Sequence, residues 1–364
     1  MVHEQPSTTL KIDVDPGQVC GAFPPPRITL ELRSLRWRGH REAFVAAGFE
    51  TQQQGGNMKI LPWTAGILAA VSVAYAADDV PRAISTLKNI AAQEVKGSND
   101  KIPDWLKRTD VSIEGLENSK PTWSIETVQP LYQTPSTLQD TVFFQGRLGY
   151  RSADLTLNLG AGYRRLLEDR SWLLGMNLFH DAERNANHRR WGFGGEAIGR
   201  YATFRANYYK PDSGAKVVRN EGGVIETEKA LRGHDVEIDV PVPYLPWLRF
   251  SANTYRWYAA TSGTDDQKGD KYTLLGNISK HLSFELSQLD DNYRRKENSF
   301  KLTYTFGKPL TGVASTLFDG LKASRAFTER DLTKHTLDKV VRQNEIIVEK
   351  RRSGGGGVSI GRRN

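Results

Sequence analysis

Apolar and polar residues alternate with a period of two through most of the chain between residues 110 and 307. In the run "SFKLTYTF" at 299–306, Phe, Leu and Tyr occupy every second position, with Ser, Lys and Thr between them. This alternation is typical of β-strands with one apolar and one polar face. It predicts about twelve strands of roughly ten residues, the length at which a tilted strand crosses a bilayer. The predicted segments are 110–119, 121–132, 140–151, 154–166, 171–182, 189–200, 202–210, 234–243, 247–258, 271–281, 282–290 and 298–307.

The two faces of these segments favour a membrane barrel over a soluble β-sandwich, whose strands would also alternate. The apolar faces are rich in Leu, Phe, Tyr and Trp, and many aromatic residues lie near segment ends, as in an interfacial girdle. Because lipid offers no partner to an open strand edge, the fold class that fits is an all-β transmembrane antiparallel β-barrel over residues 110–308. The polar faces carry mid-strand charges that we expect to face a wet lumen: Arg147, Arg205, Glu237, Asp239, Glu285 and Lys301.

The connections between the predicted strands differ in length. The runs "RSAD", "GRYA" and "KHLS" are tight, whereas "NEGGVIETEKALRG" and "TSGTDDQKGD" are long, polar and contain glycine. Outer-membrane barrels have short periplasmic turns and longer external loops. This difference in length is a second reason to expect a barrel.

The segments on either side of the barrel have a different character. Residues 77–109 predict a short amphipathic helix and a linker, which we place in the periplasm. Residues 309–352 are highly charged, so they are unsuited to lipid, and we expect them to thread the pore and occlude it. A disordered tail is the alternative. Residues 353–364, "SGGGGVSIGRRN", predict a flexible glycine-rich stub. The residues expected in the pore are Arg342, Asn344, Glu345, Ile347 and Glu349.

An export signal begins inside the chain, at Met58. Met58 and Lys59 form a short positive region, an apolar stretch follows, and Ala74 and Ala76 form a small-x-small cleavage site. We therefore expect a cleaved signal peptide at 58–76, with an inner-membrane anchor as the alternative. Our hypothesis for residues 1–57 is that they are translated upstream DNA and that Met58 is the true start.

Composition argues against several other classes of function. The chain has 50 Lys and Arg against 42 Asp and Glu, but the signs are interspersed, so we expect no nucleic-acid partner. Cys20 is the single cysteine, and it precedes the signal. Zinc-ligand spacings, a phosphate-binding loop and a nucleophile elbow are missing from the sequence, so we expect no metal, no cofactor and no enzymatic activity. The carboxylate pairs at 265–266 and 290–291 are interpreted as solvated loop residues.

Four runs of sequence resemble one known family. They are "LTLNLGAGYRRLLEDRSWLLGMNLFHDAE" at 155–183, "GFGGEAIGRYATFRANYYKPDSG" at 192–214, "RGHDVEIDVPVPYLP" at 232–246 and "LDKVVRQNEIIVEKRR" at 337–352. Together they resemble the translocator barrels of the intimin/invasin family, the inverse autotransporters, over roughly residues 84–351. The resemblance implies a twelve-stranded barrel, a periplasmic N-terminal helix and a chain that turns back through the pore to the outside.

The family normally carries immunoglobulin-like modules and an adhesive tip beyond the pore. Here residues 353–364 alone follow "VEKRR", so we expect that the passenger is absent. Two explanations are open: the barrel exports a separately encoded passenger, or it is a remnant whose passenger was lost or lies in an adjacent reading frame. We therefore expect a secretion barrel in the Gram-negative outer membrane, with outer-membrane lipid and the outer-membrane assembly machinery as partners. Phe300, Tyr304 and Phe306 resemble the last-strand signal that this machinery recognises.

Two other functions remain open at this point. One is a passive porin-like channel or structural outer-membrane protein. The other is a surface adhesin that acts through its long loops, with Trp257, Tyr258 and residues 212–233 as the contact candidates.

Overall fold

The computed structural model describes residues 28–37, 41–51, 106–116, 121–151, 154–279, 281–293, 296–306, 325–353 and 358–362. The chain divides into two compact units, Met1–Gln93 and Glu94–Asn364. The first unit contains an antiparallel hairpin of β1 (Ile28–Trp37) and β2 (Arg41–Thr51), which the sequence did not predict. The expected signal peptide at 58–76, with Ala74 and Ala76, lies outside the described residues, and so does the expected helix before residue 105.

The second unit is built around a closed barrel of twelve antiparallel strands. The barrel closes because β9 pairs with β12 and β16 pairs with β3. The strands are β3 (Thr109–Leu116), β4 (Thr122–Gln133), β5 (Asp140–Arg151), β6 (Asp154–Leu166), β7 (Trp172–Glu183), β8 (Arg189–Gly199), β9 (Thr203–Pro211), β12 (Gly233–Val242), β13 (Leu245–Trp257), β14 (Gln267–Asn277), β15 (Leu282–Asp291) and β16 (Glu297–Thr305).

This architecture confirms the predicted fold class, and each predicted segment overlaps one barrel strand. The largest difference is at β14, which begins at Gln267 rather than at residue 271. The run "QKGD" is polar and was interpreted as loop. It extends the strand because its backbone continues the ladder with β13, where Trp257 pairs with Gln267. Backbone pairing does not require apolar side chains above the lipid level.

The two ends of the barrel carry different connections. The turn end is formed by residues 134–139, 167–171, 200–202, 243–244 and 278–281, and the loop end includes 212–232 and 258–266. The tight "RSAD" connection between β5 and β6 lies at the loop end, so its grouping with the turns was wrong. The two ends of the barrel therefore differ in the length of their connections only because of the two longest loops.

An apolar belt surrounds the outside of the barrel. Its side chains are exposed to the surroundings although they are large and apolar, and they alternate along the strands with inward polar residues. Lipid satisfies such a surface and water does not. The belt includes Leu174, Met176, Phe193, Phe204, Val236, Ile238, Phe250, Tyr272, Leu274, Leu286 and Phe300.

A four-stranded antiparallel sheet lies at the loop end, in the order β10, β11, β17, β18. The long connection between β9 and β12 supplies β10 (Lys216–Glu221) and β11 (Val224–Ala230), and the chain after the barrel supplies β17 (Ile347–Arg352) and β18 (Val358–Arg362). The stub predicted to be flexible thus contains a paired strand. Among the described residues, no helix is long and apolar enough to cross a membrane.

Candidate functional site

The inner wall of the barrel is polar and densely hydrogen-bonded on one side. Alternation along β5 to β9 points Gln145, Asn158, Arg164, Asp181 and Arg190 inward, where all five are buried. Buried polar groups are stable only when they are hydrogen-bonded. In this barrel the chain that follows β16 supplies many of the partners.

Asp181 lies at the centre of this wall and binds two arginines. Its carboxylate accepts hydrogen bonds from both terminal nitrogens of Arg342, at 2.8 and 2.7 Å, and from Nε of Arg190 at 2.9 Å. Arg190 is on the barrel wall, whereas Arg342 is on the segment inside the lumen. The guanidinium of Arg342 also lies 4.5 Å from the ring centroid of Phe179. Removal of Asp181 from this group would leave two buried arginines without a carboxylate, which costs about 3–5 kcal/mol.

A second buried arginine holds the same segment nearer the turn end. Arg164 donates from Nε to Glu196 at 2.6 Å, so its charge is balanced within the wall. Its Nη1 donates to the carbonyl oxygens of Thr336 and Asp338, at 3.1 and 2.5 Å. The arginine therefore satisfies backbone groups of a chain segment that has no strand neighbour there.

Uncharged wall residues also bind the segment in the middle of the lumen. Gln145 accepts the backbone N–H of Val340 at 2.8 Å, and Asn158 donates to the carbonyl oxygen of Asn344 at 2.8 Å. The hydroxyl of Tyr209 accepts the backbone N–H of Gln343 at 2.7 Å. These contacts are made to the backbone of the segment rather than to its side chains.

The segment enters the lumen at the turn end. The backbone N–H of Arg330 donates to the carbonyl of Arg200, in the turn between β8 and β9, at 3.0 Å. Leu332 is buried among Leu166, Leu173 and Ile198. Beside it, Thr333 donates its hydroxyl and its backbone N–H to Asp331.

The same segment leaves at the loop end. The carbonyl of Ile347 accepts the backbone N–H of Leu231 at 2.9 Å, and the side chain of Ile347 packs with Tyr209 and Trp257. The carboxylate of Glu349 accepts the backbone N–H of Ala260 at 2.7 Å. Residues 330–349 therefore cross the barrel from its turn end to its loop end. We call these residues the lumen segment.

The opposite side of the lumen is not filled by this segment. A cavity of about 420 Å³ lies against inward residues of β3, β4 and β13 to β16. Its wall includes Asp110, Glu126, Lys271, Glu285 and Lys301. We call the side of the lumen formed by β5 to β9 the holding side. We call the side formed by β3, β4 and β13 to β16 the cavity side. In the part of the chain that the structure describes, no group of three or more His, Cys, Asp or Glu residues could hold a metal ion.

A family model described as "Inverse autotransporter, beta-domain" matches residues 64–344, most of the chain. The chain belongs to this family. Its resemblance to inverse autotransporters is thereby confirmed, and the protein is an outer-membrane translocator barrel.

The inverse autotransporter barrel is similar to two proteins of Escherichia coli K12. It is 26% identical over 209 residues to an "attaching and effacing protein homolog", covering 54% of this chain and 68% of that protein. It is 23% identical over 287 residues to "Inverse autotransporter adhesin YeeJ", covering 74% of this chain but 12% of YeeJ. A solved chain from work described as "Unveiling the Mechanism Behind the in-meso Crystallization of Membrane Proteins" shares the fold. It has a TM-score of 0.52 and 20% identity, over 67% of this chain and 99% of that chain.

The residues expected in the pore of this translocator occupy two environments. Arg342, Asn344 and Glu345 lie inside the lumen, and Glu345 pairs with Arg151 of β5 at 3.2 Å. Ile347 begins β17 and Glu349 lies within it, so both belong to the sheet at the loop end.

The charges expected to face the lumen all lie on inward faces, and most pair across neighbouring strands. Arg205 pairs with Glu237 at 2.6 Å, and Lys301 pairs with Glu285 at 2.8 Å. The partner of Asp239 is Arg249, which the sequence analysis did not single out. Arg147 is buried and donates to Asn158 at 3.3 Å.

The aromatic residues that the sequence analysis named lie in different environments. Phe300 faces outward in the belt, and Tyr304 packs against Phe306 with ring centroids 5.4 Å apart. Phe306 is fully buried, so it does not belong to the interfacial girdle that aromatic residues near segment ends were expected to form. Trp257 is 3% exposed, so it offers no contact surface to a host, and its choice as an adhesive residue was wrong as well. Phe306 follows the end of β16, where alternation is a poor guide, whereas Trp257 has the inward parity of β13.

The sequence analysis missed the residues that hold the lumen segment. Asp181, Arg190 and Arg164 are fully buried and none was selected as lumen-facing. A signal was present, since Arg164 shares its parity along β6 with the polar Asn158. Extension of the alternation to every predicted strand would have placed these residues inward.

Proposed function

We propose that the barrel holds residues 330–349 across the outer membrane, so that the chain beyond Arg352 is displayed at the cell surface. The observation that carries this proposal is the Asp181 centre, where a wall carboxylate binds Arg342 of the lumen segment through both of its oxygens. Bidentate contacts between arginine and carboxylate fix position as well as adding energy. A segment held in this way has one register relative to the wall.

The sheet at the loop end supports the same role. β17 pairs with β11 of the long loop, from Glu226 opposite Arg352 to Ala230 opposite Val348. The backbone groups of β17 are therefore satisfied by the barrel's own loop as the chain emerges. We propose that this sheet keeps the emerging chain from sliding back into the lumen.

The cargo of this barrel is part of the proposal. The names of the two relatives concern attachment and adhesion, and the chain covers only a small part of YeeJ. We propose that the displayed or secreted cargo is an adhesin, including one encoded separately. We propose a non-catalytic role for the barrel itself.

Two further partners belong to this proposal. We propose that the assembly machinery of the outer membrane recognises β16 through Phe300, Tyr304 and Phe306, and that residues 58–76 are a cleaved signal peptide. N-terminal sequencing of the protein from outer membranes tests the second point. The expected first residue is Ala77, and a mature chain that still contains Lys59 would contradict it.

Display of the emerging chain can be tested with an epitope inserted between Ser353 and Gly354 in the full chain. An antibody should label intact cells that carry this insertion. The same epitope inserted between Glu329 and Arg330, at the turn end, should be labelled only after the outer membrane is permeabilised. Labelling of both sites from outside would contradict the proposal.

A passive channel is a second candidate, because the cavity side leaves about 420 Å³ beside the lumen segment. Planar-bilayer conductance separates the two functions. If the segment plugs the lumen, a chain shortened to end at Lys308 should conduct far better than the full chain. Equal conductance of the two chains would favour the channel.

A further inference from the structure

A basic patch lies on the outward face of the barrel at the loop end. We call it the rim patch and define it by Arg232, His234, Arg256, Tyr258 and Lys268. The register places His234 directly opposite Arg256, and Arg256 directly opposite Lys268. The three residues therefore form a row across β12, β13 and β14 at one height.

The rim patch faces away from the lumen. His234 shares its face of β12 with Val236 and Ile238, which are exposed members of the apolar belt. Arg256 shares its face of β13 with Phe250, and its side chain is 51% exposed. The patch thus lies directly above the belt, at the height of lipid headgroups.

Tyr258 organises the patch. Its backbone N–H donates to the carbonyl of Arg232 at 2.9 Å, which continues the β12–β13 ladder by one step. Its ring lies between two guanidinium groups, 4.7 Å from that of Arg232 and 5.1 Å from that of Arg256. Stacking of this kind orients both arginines. Nε and Nη2 of Arg256 already donate to Asp266, whereas the guanidinium of Arg232 has no carboxylate partner among the described residues.

Described residues balance the charges of the patch only in part. Asp266 pairs with Arg256 at 2.6 Å. Among the described residues, no carboxylate lies within ion-pairing distance of Arg232, His234 or Lys268. Asp270 is on the same outward face, one step closer to the belt. The row of His234, Arg256 and Lys268, together with Arg232, therefore has a cationic excess. An anion at headgroup height would complement it.

We propose that the rim patch binds the phosphate groups of a phosphorylated glycolipid in the outer leaflet. Arg232 would donate to the phosphates with paired N–H groups, because the guanidinium group matches phosphate geometry, and Arg256 would donate from Nη1, which does not contact Asp266. The acyl chains of the same lipid would lie on the belt around Val236 and Phe250. The inference rests on the orientation in the proposed function, in which the loop end faces outward.

The test measures binding of bisphosphorylated lipid A to the full-length barrel in nanodiscs of neutral phospholipid. Replacement of both stacked arginines, Arg232→Gln with Arg256→Gln, should weaken binding roughly thirtyfold, since each basic residue near an anionic surface contributes about fivefold. The matched control is Lys216→Gln with Arg219→Gln, which removes the same charge from the hairpin of β10 and β11. The control should bind as the native chain does.

Two further arms identify the ligand. Lipid A stripped of its phosphates should bind the native chain no better than the double variant binds intact lipid A. Inorganic pyrophosphate should compete only weakly, because it lacks acyl chains. Equal competition by pyrophosphate would overturn the lipid assignment, and equal loss of binding in both double variants would overturn the site.

Folding is checked by the change in gel mobility on heating, which every variant should retain. If the double Gln variant does not fold, Arg232→Lys with Arg256→Lys replaces it, and intermediate binding is expected because charge is kept while stacking and paired donors are lost. Native affinity in that variant would overturn the role of the guanidinium pair. Surface labelling of the epitope after Ser353 reports on the proposed function separately, so the two failures are distinguishable.

Discussion

The holding side and the cavity side of one lumen use charge in different ways. On the holding side, Asp181 and Arg164 are fully buried and bind the lumen segment. On the cavity side, Glu285 and Lys301 are partly exposed and bind each other across neighbouring strands. Asp181 and Arg164 thus position a second piece of chain, whereas Glu285 and Lys301 neutralise each other within the wall.

The comparison teaches that the polarity of a lumen wall does not by itself reveal its role. A partly exposed ion pair contributes about 0–1 kcal/mol, because water competes with it. A buried charge that loses its partner costs several times more. The same residue types should therefore respond differently to substitution on the two sides.

The largest effect is expected for Asp181→Asn. It leaves Arg190 and Arg342 buried against each other without a carboxylate, at a cost of about 3–5 kcal/mol in unfolding free energy. Urea unfolding in detergent, followed by tryptophan fluorescence, measures it. A loss below about 1 kcal/mol, as for an exposed pair, would contradict the comparison.

A smaller and more selective effect is expected for Arg342→Met. Asp181 then keeps Arg190, so the barrel wall stays neutral while the lumen segment loses a charged hydrogen bond worth about 1.5–3 kcal/mol. Faster protease cleavage between residues 330 and 349 should result, with an unchanged unfolding midpoint of the barrel. Cleavage at the native rate would show that Arg342 does not hold the segment.

Gly192→Ala tests the close approach of the segment to the wall. A β-carbon at this position would lie 2.5 Å from a terminal nitrogen of Arg342, so the guanidinium must move. We expect the binding of the lumen segment to the barrel wall to weaken by about 1–3 kcal/mol. Increased protease cleavage of the segment should report this loss. Gly195→Ala is the matched control, because no atom lies within 4 Å of its added carbon. Equal cleavage of the two variants would argue against contact at Gly192.

The smallest effect is expected for Glu285→Gln on the cavity side. Lys301 loses its partner there, but the cavity beside it admits water that can solvate the ammonium group. The unfolding free energy should fall by less than about 1 kcal/mol, with no change in protease cleavage of the lumen segment. A loss as large as that of Asp181→Asn would remove the distinction between the two sides.

The strands could be predicted from the sequence because a barrel strand carries its own signal. Inward and outward faces differ in polarity, so alternation locates a strand such as β16 without knowledge of its neighbours. The contacts of Arg342 with Asp181 could not be found in this way. They join residues from distant parts of the chain, and their pairing depends on where a segment without alternation runs through the lumen.

The sheet at the loop end was missed for a related reason. β18 has only five residues and follows a run of four glycines, so it gives too short a pattern to be predicted as a strand. It forms because β17 presents a free edge to it after pairing with β11 on the other side. Trp257 was chosen as an adhesive residue because it adjoins the long loop at 258–266, although its position in β13 has inward parity and it packs on Ile347.

The central claim is that the lumen segment crosses the membrane from the turn end to the loop end. Cysteine labelling tests it most directly, in a chain with Cys20 replaced by Ser. Arg351→Cys lies at an exposed position of β17 and should react with a membrane-impermeant maleimide on intact cells. Lys334→Cys lies at an exposed position near the turn end and should react only after permeabilisation. Reaction of both positions from the same side of the membrane would contradict the account.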